Sequence, residues 1–509
     1  MKNKILLFYP LVNQNRQIPN LPFSILNIER VLRDLPVEVI LVDERVERNV
    51  KDIINSYKDE WLVVGISAMI GYQMISGKEL SEYVKQNTKA KVVWGGWFSN
   101  VLPEIALKED FIDIVVFGQG ELPFRELIIS LLKDEALSDI KGIGFKQSGQ
   151  IIINSKAEVH NEEEFPAINY DKVDIKKIIE VNGSNADSKR SLNYIATFGC
   201  PYNCTFCCLT TVWGQKTFSK NIDIIIDDIK LFIFKYNVTK ISFDDDHFFG
   251  NKTFVLNLIQ RILDEGIEFE WEANAHISYF LKSYTLEQIS MFKKAGCVSI
   301  RFGAESGDQD VLNKINKKTT INDILEVVKI MKIADIKCVY YIMVAFPWNP
   351  SKDFNSTLNM LGQSKLINPD LEIGVNFFIP FPGTPIYEES KKYGFNGFKS
   401  FDDTLSVFFE LFVGPWWLKN YRKELYDFIW VYFKYANPNF YKTAENRTTM
   451  AIINKIMYPF CYFRLKYNIR SFRFEPKIYF IIKRLVNLFN GSKYDDEKEQ
   501  MVRCRSWKR

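Results

Sequence analysis

Short apolar runs alternate with amphipathic stretches in two long series. The first series places strands at residues 5–9, 37–42, 62–67, 91–94 and 112–117. Helical periodicity covers 24–35, 50–57, 74–86 and 123–132. The runs are apolar on both faces, as in strands covered by helices on either side. Alternation of this kind predicts βαβ units and a parallel sheet, so the N-terminal part reads as a doubly wound, Rossmann-like α/β domain over 1–140. Residues 143–154 carry Ser148-Gly149-Gln150 between two alternating runs and read as a hairpin. A polar stretch over 155–190, with Glu162-Glu163-Glu164, reads as a linker, so 141–190 is hairpin plus linker. The second series has strand candidates at 192–197, 240–243, 269–273, 298–302, 339–344 and 374–379. Helical patterns at 222–234, 254–264, 286–294, 321–333 and 353–366 separate them. Six such repeats predict a (βα)6 partial TIM barrel over 191–395, whose chemistry belongs on the loops that follow the strands. From residue 396 the pattern becomes helical and aromatic-rich, with Trp416-Trp417, Trp430 and Tyr432-Phe433, and from Lys455 to Arg484 the only acidic residue is Glu475.

A chain of 509 residues exceeds one ordinary core, in keeping with this division. A net charge of +4 gives no general case for nucleic acid. No apolar stretch reaches the roughly 18 residues of a membrane span, and Met1-Lys2-Asn3-Lys4-Ile5 leads into a strand without a signal-cleavage site. The cytoplasm is the expected compartment.

Cysteine placement changes the picture most. None of the eight precedes Cys200, and four fall between Cys200 and Cys208. A disulfide framework would spread them. Cys200-Pro201-Tyr202-Asn203-Cys204-Thr205-Phe206-Cys207 follows the first strand of the second series. Three thiolates at spacings of three and two can wrap one loop around a cubane iron–sulfur cluster, which needs four ligands. Cys208 adjoins Cys207 too closely to be an easy fourth, which leaves one iron open. The alternative is a zinc loop, which needs four protein ligands in a tetrahedron, with His247 the nearest histidine in sequence.

The motif, with Phe206 before the third cysteine and its position after a first barrel strand, resembles the radical S-adenosylmethionine superfamily. The resemblance implies a [4Fe-4S] cluster on Cys200, Cys204 and Cys207. S-adenosylmethionine would be chelated at the open iron and cleaved reductively to a 5′-deoxyadenosyl radical. It also implies roles for segments after the later strands. Asp245 and Asp246, in Asp244-Asp245-Asp246, would meet an ammonium partner; on their own they read as a solvated acidic loop. Glu305 and Ser306, in Gly303-Ala304-Glu305-Ser306-Gly307, would contact ribose or methionine; on its own the segment reads as a tight turn. Asn274 ends the third strand beside His276, and a lone histidine there is more often structural. Pro380-Phe381-Pro382-Gly383-Thr384-Pro385 resembles the family's closing turn.

The first domain resembles the cobalamin (B12)-binding domain of one subclass through Ser67, Gly95, Gly96, Gly118 and Gly120 after successive strands, where small residues admit a corrinoid. It departs from the pattern in having no histidine: the chain's three are His160, His247 and His276, and the loop after the second strand is Asp43-Glu44-Arg45-Val46-Glu47. Cobalamin would be bound without histidine, or the domain would be structural. The resemblance covers about residues 1–395. It implies functionalisation of an unactivated carbon in a small, hydrophobic or lipid-like substrate, with flavodoxin or ferredoxin as electron donor. Cobalamin-dependent methyl transfer is the leading reaction. The alternatives are radical cyclisation or rearrangement without cobalamin, and a non-catalytic metal- or corrinoid-binding protein. For the 396–509 tail, read from composition, plain core is weighed against a lid or a basic peripheral contact with anionic lipid.

Overall fold

A computed structural model of the chain describes residues 3–12, 19–185, 190–412, 427, 431–432, 435–438, 447–467, 469, 474–479 and 481–482. The first sheet consists of β1 (Lys4–Tyr9), β2 (Glu38–Asp43), β3 (Trp61–Ser67), β4 (Lys91–Gly95), β5 (Ile114–Val116), β6 (Ile143–Gln147) and β7 (Gln150–Ile153), in the order β2-β1-β3-β4-β5-β6-β7. β1 to β5 pair in parallel, and the hairpin β6–β7 extends the sheet antiparallel. Successive side chains of a strand point to opposite faces. In β1, Leu6 and Phe8 therefore enter one core while Ile5 and Leu7 enter the other. The strand order reverses between β1 and β3, and such a switch point opens a crevice at the strands' carboxyl ends.

The second sheet is β8 (Ser191–Tyr194), β11 (Lys240–Phe243), β12 (Glu270–Ala275), β13 (Cys297–Glu305), β14 (Lys337–Val344) and β15 (Glu372–Phe377), all parallel in that order. A separate two-stranded ribbon, β9 (Thr197–Gly199) with β10 (Thr217–Ser219), comes between β8 and β11 along the chain. The crossover helices start where their sequences permit. Asn221 and Asn251 accept backbone N–H bonds as N-caps, and Thr285 and Thr320 open capping boxes.

Three features depart from the sequence expectation. The first strand of the barrel ends at Tyr194 rather than at residue 197, because the chain turns out into the ribbon. The stretch read as linker contains the helix Ile175–Asn185, whose Ile175, Ile178 and Ile179 are buried in the barrel core. In the same stretch Glu162 meets Arg30 at 2.6 Å in a buried ion pair, and Arg30 also holds Glu121 at 3.1 Å. The described part of the tail feeds both earlier cores. Phe401 lies edge-on to Trp94, Phe98 and Phe111 at 5.4–5.8 Å. Ile453, Met457, Cys461 and Leu465, on the helix Arg447–Lys466, join the barrel core beside the helix Pro350–Ile367. Trp416, Trp417, Trp430, Phe433, Arg470, Arg473, Lys483 and Arg484 lie outside the described residues.

Candidate functional site

The cysteine loop leaves the ribbon at Gly199, whose φ of +77° and close approach to the Lys216 carbonyl exclude a side chain. The loop is clamped by three other segments of the chain. Asp246 accepts the Gly199 N–H at 2.9 Å, Thr205 N–H donates to the Ile315 carbonyl at 3.0 Å, and Ile386 N–H donates to the Thr205 carbonyl at 3.2 Å. Asn316 Nδ2 donates to Asn203 Oδ1 at 2.5 Å. The thiols of Cys200, Cys204, Cys207 and Cys208 are free and partly buried. Burial pushes Cys200 up to about 11 and Cys207 up to about 12, and neighbouring thiols of the loop add to both. Three thiolates in one partly buried loop would need a compensating positive charge, which the irons of a cluster would supply. Among the described residues no group of three or more His, Cys, Asp or Glu is arranged to hold one metal ion. A zinc site draws four ligands to about 2.3 Å from a single centre, whereas a cubane is held at separate irons. The donor set fits the cluster.

The acidic triplet is engaged by neighbouring backbone and side chains. Asp245, 1% exposed, accepts the Ala196 N–H at 3.1 Å and the Thr197 hydroxyl at 2.7 Å, and also meets the Thr197 N–H. Burial raises it to about 7 and Asp246 to about 6. Asp244 faces Arg301 at 3.4 Å. Asp245 and Asp246 thus hold the backbone that leads into the cysteine loop. Ser306 is also turned inward: fully buried, it donates to Asp353 at 2.5 Å and accepts the Asp308 N–H at 2.9 Å. Asn274 donates to the Asp245 carbonyl at 3.1 Å.

Glu305 is different. It sits in left-handed backbone at φ +60° and pairs with Lys317 at 2.7 Å, both side chains about a tenth exposed. Burial works against the Lys317 charge, but Glu305 and the thiols of Cys204 and Cys200 more than offset it and raise its pKa. The Lys317 ammonium also lies 6.0 Å from the centre of the Phe206 ring. His276 accepts the Tyr279 N–H at 3.4 Å and meets the Lys317 carbonyl at 2.7 Å, while its ring stacks on Tyr202 at 4.0 Å. His276 is therefore a satisfied structural histidine that supports the cysteine loop. His247, 3% exposed, has no hydrogen-bond partner for either ring nitrogen among the described residues, and burial lowers it to about 4. Sequence reasoning missed Lys317, Tyr202 and Arg301. Lys317 is brought back to Glu305 only by the turn after the helix Gln309–Lys314, a contact that has no local signature.

A cavity of about 440 Å³ opens at the carboxyl ends of β1, β3 and β4. Ser67, Gly95, Gly96, Gly118 and Gly120 all line it, with Met69, Trp97 and Asn100. Ser67 donates to Ser24 at 2.8 Å. Gly96, at φ +84°, has no room for a Cβ, which would lie 2.7 Å from the Ala68 carbonyl oxygen. A Cβ on Gly95, by contrast, would meet nothing within 4 Å, which leaves open floor. The opposite wall is the start of the barrel: Asn193, Ile195, Phe198 and Trp213. Among the described residues that line it, none is a histidine. A largely apolar cavity with a glycine floor at a switch point fits a large planar ligand.

A family model described as the B12 binding domain matches residues 13–128, and one described as the radical SAM superfamily matches residues 194–361. An uncharacterized methyltransferase of Pyrococcus horikoshii is 26% identical over 330 residues, 64% of this chain and 68% of that protein. The bacteriochlorophyllide d C-12(1)-methyltransferase of Chlorobaculum tepidum is 27% identical over 39% of this chain and 42% of its own length. Among solved structures, the radical S-adenosylmethionine methyltransferase TsrM of Kitasatospora setae, with cobalamin and a [4Fe-4S] cluster bound, aligns with a TM-score of 0.64. That match has 16% identity over 77% of this chain and 78% of that one. The cobalamin-dependent S-adenosylmethionine radical enzyme OxsB aligns with a TM-score of 0.69, 16% identity and 99% coverage of this chain against 83% of its own. At these identities the structural likeness is one of fold. With a largely apolar cavity walled by the start of the cysteine loop, and both family models matched in the same order, the chain carries a radical S-adenosylmethionine superfamily domain preceded by a B12-binding domain.

Proposed function

We infer that this enzyme transfers a methyl group to an unactivated carbon of a hydrophobic small molecule, using cobalamin held between its two sheets. One observation carries the reading: the cavity floored by Gly95, Gly96 and Gly118 is walled by Phe198 and Trp213, and Phe198 lies two residues before Cys200. The same strand end thus serves the corrinoid cavity and the cysteine loop. The named methyltransferase relatives support the reaction class.

When bound, the cofactors supply reductive cleavage of S-adenosylmethionine and carriage of a methyl group. The chain's own residues position and shield. Cys200, Cys204 and Cys207 would hold the cluster, and Phe206, packed against the barrel core, lies between the last two of them in the loop. Glu305 and Lys317 present a buried carboxylate and a buried ammonium side by side, complementary to the α-ammonium and α-carboxylate of a methionine moiety. Asp245, Asp246, Asn274 and Ser306 keep the surrounding loops in place. An electron donor such as flavodoxin or ferredoxin, and a cytoplasmic location, belong to the same proposal. No helix among the described residues is long and apolar enough to cross a membrane. Similarity to the anaerobic magnesium-protoporphyrin IX monomethyl ester cyclase of Cereibacter sphaeroides, 22% identical over 58% of this chain, favours radical cyclisation as the second reading.

The test is anaerobic reconstitution with iron, sulfide and cobalamin, followed by reductant and S-adenosylmethionine labelled in its methyl group. We expect 5′-deoxyadenosine and, in extracts of the producing cell, label in an apolar product. 5′-deoxyadenosine with no labelled product favours cyclisation. Lys317→Met should weaken S-adenosylmethionine binding about ten- to hundred-fold at unchanged iron content, the scale of a lost charge-assisted hydrogen bond. Unchanged affinity would return the Glu305–Lys317 pair to a purely structural role.

A further inference from the structure

The helix Arg447–Lys466 has two unlike faces. Ile453, Met457, Cys461 and Leu465 are buried against the barrel. Ile452, Ile456, Phe460, Phe463 and Tyr467 are 45–58% exposed. At about 100° per residue these five side chains fall within an arc of about 80°. They form one stripe along the outer face. Phe463 touches Tyr467 at 4.5 Å between ring centres, and Phe460 approaches Phe474 at 6.0 Å, so the stripe continues onto the next segment. Scattered surface apolar residues need no explanation, but a contiguous row of aliphatic and aromatic side chains marks an interaction surface.

Charge singles out the occupant. From Arg447 to Arg484 the sequence has nine Lys or Arg and one acidic residue, Glu475. Glu475 is buried and neutralised by Arg464 at 2.7 Å. Among the described residues of this stretch, the charges left exposed or partly exposed, Lys455, Lys466 and Lys477, are all positive. Lys455 and Lys466 fall at one rim of the stripe on the helical wheel, and the Lys466 ammonium sits 5.2 Å from the centre of the Tyr467 ring. A second protein copy would bring its own positive row against this one. An apolar stripe edged by lysines matches the headgroup and acyl boundary of an anionic bilayer, where the rings enter and the ammoniums meet phosphates. We propose that this helix face docks the enzyme on anionic lipid membranes, lying in the interface without spanning it. The inference stands apart from the methyl-transfer reading, because none of its residues touches the cysteine loop or the corrinoid cavity.

The full chain is tested by flotation with vesicles of phosphatidylcholine alone and with one-third phosphatidylglycerol. Binding is expected to the anionic vesicles and to fall as salt is raised. Phe460→Ser with Phe463→Ser should reduce it by at least about ten-fold, and Lys455→Glu with Lys466→Glu should abolish the preference for anionic lipid. Both exposed-face variants should keep the melting temperature and 5′-deoxyadenosine formation of the parent, which separates lost docking from lost folding or chemistry. Absence of vesicle binding by the parent, or binding equal in parent and variants, overturns the proposal. So does a concentration-dependent dimer that the aromatic variant dissolves, since the face would then be covered by a second copy.

Discussion

Cys200, Cys204 and Cys207 have thiols pushed up by burial, so the loop alone would stay protonated at neutral pH. Metal binding and thiol deprotonation are therefore coupled. Cys208 has the same raised pKa, up to about 11, but its carbonyl accepts the hydroxyl and N–H of Thr211, which turns that residue into the following helical turn. Alanine at Cys200, Cys204 or Cys207 should each remove most iron and all 5′-deoxyadenosine formation, whereas Cys208→Ala should keep both. Iron content and the cluster's absorbance after reconstitution check this. A cluster lost only in Cys208→Ala would overturn the ligand assignment.

Single strands and helices deliver residues to the site in fixed ways. Helix Pro350–Ile367 carries Asp353 into contact with Ser306 at the end of β13. Burial raises Asp353 to about 7, and its Oδ2 has no hydrogen-bond partner among the described residues. In the unfolded chain such a carboxyl titrates near 4. Between the two values the native state holds a proton that the unfolded state has released. This contribution to stability is full below the unfolded pKa and is lost as pH rises through about 7. Asp353→Asn, which cannot ionise, should therefore narrow the stability gap between pH 5 and pH 8 by on the order of 2 kcal/mol. Thermal unfolding of both proteins at the two pH values measures it. A gap of equal size in the variant would rule out Asp353 as the titrating group.

At the scale of the whole molecule, the cavity proposed for the corrinoid is lined by both the first domain and the start of the barrel. Asn100 shows the coupling: its side chain accepts the Gly118 N–H at 2.8 Å and donates to Thr211 of the cysteine-loop helix at 2.8 Å. With Met69 half-exposed, Trp97 at the lining and no histidine there, cobalamin should bind with its own base detached and no imidazole on cobalt. Phe98, in the same segment, is fully buried in the first domain's core and takes no part. Electron paramagnetic resonance of the Co(II) form is expected to lack nitrogen superhyperfine splitting. A nitrogen-split signal would show that a nitrogen ligand, the cofactor's own base or a side chain, sits on cobalt and would overturn this prediction; no cobalt after anaerobic loading would leave radical rearrangement as the reaction.

The order of strands and helices, and the cysteine motif after the barrel's first strand, were legible in the sequence. Apolar runs covered on both faces and a C-x3-C-x2-C spacing are local signals. The glycine turns were legible for the same reason, since positive φ and close backbone approach select glycine at a single position. What each acidic residue does was decided by the tertiary structure. Asp245 and Asp246 looked like open carboxylates and are bound by backbone N–H groups of a different strand. Glu305 instead gained Lys317, twelve residues on, across a fold of the chain. The helix Ile175–Asn185 was hidden because only one of its faces is apolar, and that face acquires meaning only against the barrel. Likewise the tail's aromatic residues could be read as core or surface until packing divided them. A long-range contact is not coded in any one window of sequence, so whether a polar or aromatic side chain is used inward or outward is settled only when distant segments meet.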